Sequence, residues 1–286
     1  MPRVSAAIIT HNRAQFLDDA IASVLGQTFR DLELIVVDDG STDGTETVVE
    51  PYLDHILYVR QEHQGKATAR NRAVELAEGE LVAFCDSDDI WYPDRLERQL
   101  AAFEDNPNVG MIHGHVAVID PCGNVLPDRT ASTRTVFGAA HRKAPTYASY
   151  AIDCRCFSST ILVKHEVFDA VGPYDSELPI EDYDFYLRLV LAFDVLFLAG
   201  RPLAKYRAHD DKTGDAVLGS GQIRTAEKHL ALLEGRPDIA DARLARRNFH
   251  LMIARTWRAL GDRPRARAAA LQALRLGAPQ ALRLGL

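Results

Sequence analysis

The sequence predicts an α/β protein with a doubly wound, mostly parallel sheet, flanking helices and a C-terminal helical extension. Three observations lead to this fold class. Strands alternate with helices over the first hundred residues, three of those strands end in polar residues, and the composition changes near residue 223. A chain of 286 residues exceeds most single cores, so we expect one large domain with additions or two unequal domains.

The alternation begins with Val4 to Thr10, a β-branched apolar run typical of a buried strand. Leu17, Ala20, Ile21 and Val24 follow at helical spacing and predict an amphipathic helix. Further strands are expected at Leu32 to Val37, Ile56 to Val59 and Leu81 to Cys85, and further helices at Thr45 to Leu53, Lys66 to Ala77 and Pro93 to Asp105.

Polar residues follow three of these strands, at Thr10 to Arg13, at Asp38–Asp39 and at Asp86 to Asp89. Parallel strands share one carboxyl edge, and ligands of doubly wound sheets bind beyond that edge. We therefore expect these segments to meet where a nucleotide lies.

The middle of the chain is less periodic. Strands are expected at Met111 to Ile119 and Thr160 to Val163, a helix at Glu181 to Ala192, and an edge strand at Leu203 to Tyr206. Ala208 to Gln222 contains three glycines and no long apolar run. We interpret it as a mobile loop that closes over the ligand.

The tail from 223 to 286 is rich in alanine, leucine and arginine and is helical by propensity. Ala254 to Leu274 resembles a single tetratricopeptide-type helix-turn-helix, too short to form a solenoid. Asp238 to Leu286 contains ten arginines and three aspartates, a local charge of +7. The arginines form either a solvated face or a docking surface for a membrane or a protein partner.

Composition excludes several classes of protein. The formal charge of −7 argues against a general nucleic-acid binder. The four cysteines lack CxxC spacing, which argues against a disulfide scaffold or a zinc site. No targeting segment and no run of about 18 apolar residues is present. We expect a cytoplasmic protein, with peripheral contact at the inner face of the membrane left open.

Asp86 to Asp89 is the strongest local motif. Carboxylates at alternate positions beyond a strand can converge on Mg²⁺ or Mn²⁺, which in turn binds a diphosphate. An acidic turn with a helix cap is the structural alternative. Two further acidic pairs have both a functional and a structural interpretation. Asp38–Asp39 could bind a base or ribose, or form a turn. Glu181–Asp182 could deprotonate an acceptor, or cap a helix.

His209 follows the expected edge strand, as does Arg207. This histidine could be a further metal ligand or a pyrophosphate contact, and an exposed loop histidine is the alternative. We interpret His113 and His115 as structural. No GxGxxG follows the first strand, which argues against a dinucleotide oxidoreductase.

In order and spacing, these segments resemble the family-2 inverting glycosyltransferases of the GT-A fold over roughly Pro2 to His209. The motifs that carry the resemblance are Thr10-His11-Asn12-Arg13, Ser23 to Thr28, Glu33 to Asp43, Gly65 with Ala69-Arg70-Asn71, Gly79 to Asp89, Val171 to Asp175 and Glu181-Asp182-Tyr183-Asp184.

The resemblance implies a role for each matching residue. Thr10, Asn12, Arg13, Asp39, Arg70 and Asp86 bind the donor nucleotide, Asp88 and His209 hold Mn²⁺ or Mg²⁺, and Asp182 is the general base beside Glu181. It also implies a glycosyltransferase domain at 1–222, with a nucleotide half at 1–105 and an acceptor half at 106–222, followed by the 223–286 extension.

The resemblance implies transfer of a hexosyl group, with inversion, from a nucleotide-diphospho-sugar to a hydroxyl of a glycan or lipid-linked acceptor. A UDP-sugar is the donor most often used in the family, and polysaccharide biosynthesis is the process implied. Two alternatives stay open: a nucleotidyltransferase of related fold and a non-catalytic nucleotide-sugar-binding protein. The glycine-free segment Thr10 to Arg13 argues against the first, because a triphosphate site usually needs a glycine-rich loop there.

Overall fold

The computed structural model describes residues 1–130, 145–152, 156–209, 214–236 and 238–284. The chain forms two compact units. The first comprises Met1–Ala144, Cys156–Ser176 and Ala192–Asp210, and the second comprises Pro145–Arg155, Glu177–Leu191 and Asp211–Leu286. A helix runs across residue 222, the domain boundary expected from the sequence.

The first unit contains two sheets. Their strands are β1 (Val4–Thr10), β2 (Leu32–Asp38), β3 (Leu57–Arg60), β4 (Leu81–Asp86), β5 (Ile90–Trp91), β6 (Val109–Gly114), β7 (Val116–Ile119), β8 (Leu162–Lys164), β9 (Asp194–Leu198) and β10 (Ala204–Arg207). The seven-stranded sheet has the order β3-β2-β1-β4-β8-β6-β9, and the three-stranded sheet has the order β5-β10-β7.

The large sheet is mostly parallel. Strands β3, β2, β1 and β4 run in one direction, and β6 and β9 are parallel to each other. Only β8 pairs antiparallel with both of its neighbours, β4 and β6. The predicted doubly wound, mostly parallel α/β fold is confirmed.

Helices of the first unit bury apolar faces against this sheet. They are α1 (Ala14–Leu25), α2 (Thr45–Val49), α3 (Lys66–Leu76), α4 (Arg95–Asp105) and α6 (His165–Val171). In α1, Leu17, Ile21 and Val24 are fully buried and belong to the same core as Ile8 of β1. The burial pattern follows the helical spacing read from the sequence, because only the core-facing stripe needs to be apolar.

The second unit is helical. It contains α5 (Tyr147–Tyr150), α7 (Glu181–Ala192), α8 (Asp215–Glu234), α9 (Ala242–Ala259) and α10 (Arg263–Arg275), with a short 3₁₀ helix at Pro279–Leu284. Phe249 of α9 and Ala270 and Ala273 of α10 are fully buried. The predicted helix-turn-helix is present as α9 and α10, and the C-terminal helices are confirmed.

The mobile loop expected at Ala208 to Gln222 is wrong for 215–222, which form the first two turns of α8. Residues 210–213 lie outside the described part of the chain. Glycine serves close packing here rather than flexibility. A Cβ on Gly221 would lie 2.5 Å from Ile180 Cγ1, and one on Gly219 would lie 3.1 Å from Thr256 Cγ2.

Three smaller predictions of secondary structure and strand position differ from the structure. The run at Met111 to Ile119 divides into β6 and β7 because the chain passes between two sheets at Gly114, where a Cβ would meet Leu203 Cδ1 at 2.7 Å. Strand β10 is the middle strand of the small sheet rather than an edge. The helix after Thr45 tightens into a 3₁₀ turn that includes Pro51, whose nitrogen cannot donate.

Among the described residues, no helix is both long enough and apolar enough to cross a bilayer.

Candidate active site

The site begins at the carboxyl edge of the large sheet. In the parallel register Thr10 lies opposite Asp38 and Ile9 lies opposite Asp86. The backbone N–H of Asp39 donates to the carbonyl of Thr10 over 2.9 Å. The ends of β1, β2 and β4 therefore lie side by side, as the sequence predicts.

Asp39 is almost fully buried and accepts several hydrogen bonds. Its Oδ1 accepts from Gln61 Nε2 at 2.8 Å and Gln64 N at 2.9 Å, and its Oδ2 accepts from Gly65 N at 2.8 Å. Burial by itself raises the pKa of Asp39, but these hydrogen bonds and the nearby His63 outweigh it and lower the pKa. Asp39 is therefore a fixed carboxylate at the sheet edge.

Two histidines stack beside Asp39, and the sequence analysis singled out neither for a role. The rings of His11 and His63 lie 4.0 Å apart at 25°, and with Asp39 they bring potential ligand atoms within 4.8 Å of one another. Asn12 Nδ2 lies 3.1 Å from His11 Nε2, so the His11 proton is on Nδ1 and is donated to Asp39 O over 2.7 Å. Hydrogen bonds account for this cluster without an ion.

Asn12 and its neighbours shape the loop after β1. Asn12 adopts the left-handed conformation with φ 52°, its N–H donates to Ser41 Oγ at 2.9 Å, and its Oδ1 accepts from Thr42 N at 2.8 Å. Arg13 Nη1 donates to the carbonyl of Asn12. Asn12 thus ties the β1 loop to the β2 loop. Thr10 Oγ1 is buried and has no hydrogen-bond partner among the described residues.

Arg70 and Asp86 meet, as expected for two donor-site residues. Arg70 Nη2 donates to Asp86 Oδ1 at 2.9 Å and to Ser158 Oγ at 3.1 Å. The guanidinium is buried and lies 5.0 Å from the ring of Phe84 and 5.7 Å from that of Tyr174. Packing on both rings fixes Arg70, which in turn fixes one oxygen of Asp86.

Asp88 and His209 also meet, although 121 positions separate them. His209 Nε2 lies 2.8 Å from Asp88 Oδ2, and the His209 side chain is only 5% exposed. The alternative of an exposed loop histidine is therefore wrong. His209 Nδ1 is buried without a hydrogen-bond partner among the described residues.

The donor atoms at this edge suit a hard divalent cation. Asp86, Asp88 and Asp89 place carboxylate oxygens within 4.8 Å of one another, and His209 adds a nitrogen next to Asp88. Carboxylates suit Mg²⁺ and Mn²⁺. Asp89 has another role, because its Oδ1 accepts from Arg207 N at 3.0 Å and its Oδ2 from Ser159 Oγ at 2.6 Å.

Residues distant in the sequence hold this loop, and none of them is among the predicted site residues. Ser159 Oγ accepts from Asp86 N at 3.0 Å, and Arg207 Nε donates to the carbonyl of Asp88 at 3.0 Å. Buried Arg95 donates to the carbonyls of Ser159 and Ile161 and lies 3.8 Å from the Trp91 ring. No local pattern marks Ser159 or Arg95, and Arg207 was noted only for its position after a strand.

Glu181 and Asp182 lie in the second unit, in the first turn of α7. Glu181 is buried and Asp182 is partly exposed. The third acidic residue of that turn, Asp184, is fully buried and contacts Arg188 Nε at 2.8 Å, Lys228 Nζ at 2.8 Å and His229 Nε2 at 3.1 Å.

Asp184 serves the packing of the second unit. Burial by itself raises its pKa, but hydrogen bonds from His229 and Lys228 and the nearby Arg188 outweigh that effect and hold the pKa well below its usual range. His229 is also fully buried, and its Nδ1 lies 2.8 Å from the hydroxyl of Tyr147. Asp184 therefore joins α7 to α8, which leaves Asp182 as the partly exposed carboxylate of the turn.

Solved structures share this fold. A Staphylococcus aureus TarS structure, residues 1–349 in complex with UDP-GlcNAc, superposes with a TM-score of 0.67 over 99% of this chain and 84% of that one, at 18% identity. The mannosyltransferase PcManGT of Pyrobaculum calidifontis, in complex with GDP-Man and Mn²⁺, gives a TM-score of 0.65 over 99% and 78%, at 22% identity.

Sequence comparison identifies the family. An uncharacterized glycosyltransferase of Rickettsia typhi is 30% identical over 243 residues, which span 82% of this chain and 71% of that protein. The family model described as glycosyl transferase family 2 matches residues 5–165, more than half of the chain. The protein is a glycosyltransferase and belongs to glycosyl transferase family 2.

Proposed function

We propose that this enzyme transfers a hexosyl group from a nucleotide-diphospho-sugar, in the first instance a UDP-sugar, to a hydroxyl of a glycan or lipid-linked acceptor, with inversion. The observation that carries the proposal is the set of carboxylates at the ends of β2 and β4: Asp39 follows β2, and after β4 Asp86 contacts Arg70 and Asp88 contacts His209. That edge is where ligands of such sheets bind.

We assign binding of the nucleoside to Asp39 and to the residues that follow β1. Asp39 is held as a carboxylate and can accept from a base N–H or a ribose hydroxyl. Thr10 Oγ1, which has no hydrogen-bond partner in the described part of the chain, lies at the adjacent strand end, with Asn12 and Arg13 beside it. The UDP-GlcNAc and GDP-Man named for the two similar structures support a nucleotide-sugar as the donor.

Asp88 and His209 are the residues that would hold Mn²⁺ or Mg²⁺, with a carboxylate oxygen of Asp86 within 4.8 Å of that of Asp88. Such a cation would supply positive charge next to the departing diphosphate. The Mn²⁺ named for the mannosyltransferase supports this assignment. Arg70 holds Asp86 Oδ1 and so orients that carboxylate.

In the transfer step, the acceptor oxygen attacks the anomeric carbon while the bond from that carbon to the diphosphate oxygen breaks. The bonding electrons leave with the diphosphate, and the acceptor proton passes to Asp182. Attack opposite the leaving group inverts the anomeric centre, and a general base contributes about 10²–10⁴-fold to the rate. We assign Glu181 to positioning the acceptor.

A donor panel tests the proposal. Purified enzyme is incubated with UDP-, GDP- and dTDP-sugars, with Mn²⁺, Mg²⁺ or EDTA, and nucleoside diphosphate release is measured. We expect release from one donor class that EDTA abolishes. Asp88→Asn should abolish it too, whereas the exposed Asp54→Asn, which makes the same change in charge, should not. Full activity of Asp88→Asn in EDTA would overturn the metal assignment.

A parallel assay with nucleoside triphosphate and sugar phosphate, read by pyrophosphate release, and a nucleotide-binding measurement separate the alternatives left open by the sequence. A nucleotidyltransferase would release pyrophosphate from a nucleoside triphosphate and a sugar phosphate. A non-catalytic binding protein would release nothing from any donor while still retaining nucleotide. Family membership favours glycosyl transfer over both.

A further inference from the structure

Helix α10 carries arginines near its N-terminus, where positive charge is unfavourable. Arg263, Arg265 and Arg267 lie in its first five residues, and its first turn contains no acidic residue. The N-terminus of a helix carries the positive end of the helix dipole, so cations there are destabilising. Arg263 and Arg267 are also spaced i,i+4, where like charges repel. Local stability therefore does not explain this pattern.

Neighbouring residues leave most of this charge uncompensated. Asp262 caps the helix through Arg265 N at 3.0 Å and contacts Arg265 Nε at 3.5 Å, and the Arg265 guanidinium lies 4.6 Å from the Trp257 ring. Arg263 and Arg267 are exposed and form no ion pair among the described residues. From residue 263 to the end of the sequence there is no acidic residue.

The exposed face of α10 combines this charge with apolar side chains. Arg263, Arg267, Leu271 and Arg275 follow one another at i,i+4 spacing and are all exposed, with Leu271 40% exposed. The opposite stripe, Ala266, Ala269, Ala270 and Ala273, is buried. The terminal 3₁₀ helix adds Leu282, 57% exposed, and Arg283. We call Arg263, Arg267, Leu271 and Arg275 the α10 basic face.

We infer that the α10 basic face is a docking surface for an anionic lipid bilayer. Arginines within reach of anionic headgroups are attracted to the surface, and a leucine between them can enter the acyl boundary while the guanidinium groups stay in the headgroup layer. The α10 basic face presents exposed charge and an exposed leucine rather than a pocket. A fluid bilayer can adapt to such a surface, so no complementary shape is needed. The inference goes beyond the proposed transfer reaction and does not depend on it.

Vesicle sedimentation with the full chain tests the inference. We expect the protein to bind vesicles of phosphatidylglycerol mixed with phosphatidylcholine at low salt, to be released by high salt, and not to bind phosphatidylcholine alone. Arg263→Gln, Arg267→Gln and Arg275→Gln together should weaken partitioning by about 100-fold, since each arginine near the surface contributes about fivefold.

Two matched variants complete the experiment. Arg30→Gln, Arg72→Gln and Arg201→Gln together make the same change in net charge on the first unit and should leave binding unchanged. Replacing Arg263, Arg267 and Arg275 by lysine keeps the charge and should retain binding. Equal binding by the α10 glutamine variant and wild type, or no wild-type binding to anionic vesicles, overturns the inference. Circular dichroism confirms that each variant is folded.

Discussion

The hydroxyl of Ser159 donates a 2.6 Å hydrogen bond to Asp89 Oδ2 and accepts one of 3.0 Å from the backbone N–H of Asp86. One buried side chain therefore holds both ends of the acidic loop that contains Asp88. Both carboxylate oxygens of Asp89 accept hydrogen bonds that support the loop, because Arg207 N donates to Oδ1. The loop is held in place by residues far away in the sequence.

Ser159→Ala should loosen this loop. It leaves Asp89 Oδ2 and the Asp86 N–H without their partner, and a buried polar group left unpaired costs about 1–3 kcal/mol. We expect lower stability of the first unit and a severalfold weaker Mn²⁺ affinity by calorimetry. Ser220→Ala, at an exposed serine whose hydroxyl donates to Val217 O of its own helix, is the control. Unchanged metal affinity in Ser159→Ala would show that Asp88 is positioned without this bond.

Asp182→Asn should separate chemistry from donor binding. The amide keeps the shape of the side chain but cannot accept a proton at neutral pH, so kcat should fall by about 10²–10⁴-fold. The affinity for nucleoside diphosphate, measured by calorimetry, should be unchanged. The exposed Asp169→Asn controls for the charge. A parallel loss of nucleotide affinity would contradict the base assignment and place Asp182 in donor binding.

Asp184→Asn should destabilise the second unit in a manner that depends on pH. The native pKa of Asp184 lies below its unfolded value, so the carboxylate stabilises the fold above the unfolded pKa of about 3.9. This contribution is lost as pH falls toward the lower native pKa. The variant should lose about 3 kcal/mol at neutral pH and progressively less in acid.

Tryptophan fluorescence can follow this effect in one unit. Of the two tryptophans in the chain, Trp257 lies in the second unit and Trp91 in the first. In a Trp91→Phe background, urea unfolding followed by fluorescence reports on the second unit. A difference between variant and parent that stays constant from neutral pH into acid would rule out the ionised state of Asp184 as the source of the stabilisation.

Gly221→Ala should destabilise the second unit even though alanine favours helices. The new Cβ would lie 2.5 Å from Ile180 Cγ1, and overpacking of this kind costs about 1–3 kcal/mol. Gly235→Ala, at the end of the same helix and with its nearest atom 4.0 Å away, should be close to neutral. A neutral Gly221→Ala would favour the mobile loop that the sequence alone suggested.

The sequence by itself determined strands β1, β2 and β4 of the large sheet and the edge where their polar residues lie, but it did not predict β9 (Asp194–Leu198). Strands buried on both faces are mostly apolar, so β1, β2 and β4 are visible as largely apolar runs, and clusters of polar residues begin where each strand ends. Parallel pairing then forces Thr10, Asp38 and Asp86 onto one edge. Strand periodicity and direction are local properties, and they suffice to bring Asp39 and Asp86 to the same edge.

Only the tertiary structure decided which residues hold that edge in place and which glycines are rigid. Ser159 and His209 reach the acidic loop across separations of 70 and 121 positions, and Arg95 holds Ser159 from 64 positions away. No spacing in the sequence records such contacts. Gly221 looks like a loop residue by composition, yet the approach of Ile180 makes it a packing residue of α8. Hydrogen bonds and close contacts between distant segments depend on how the elements pack, and that arrangement exists only once the chain has folded.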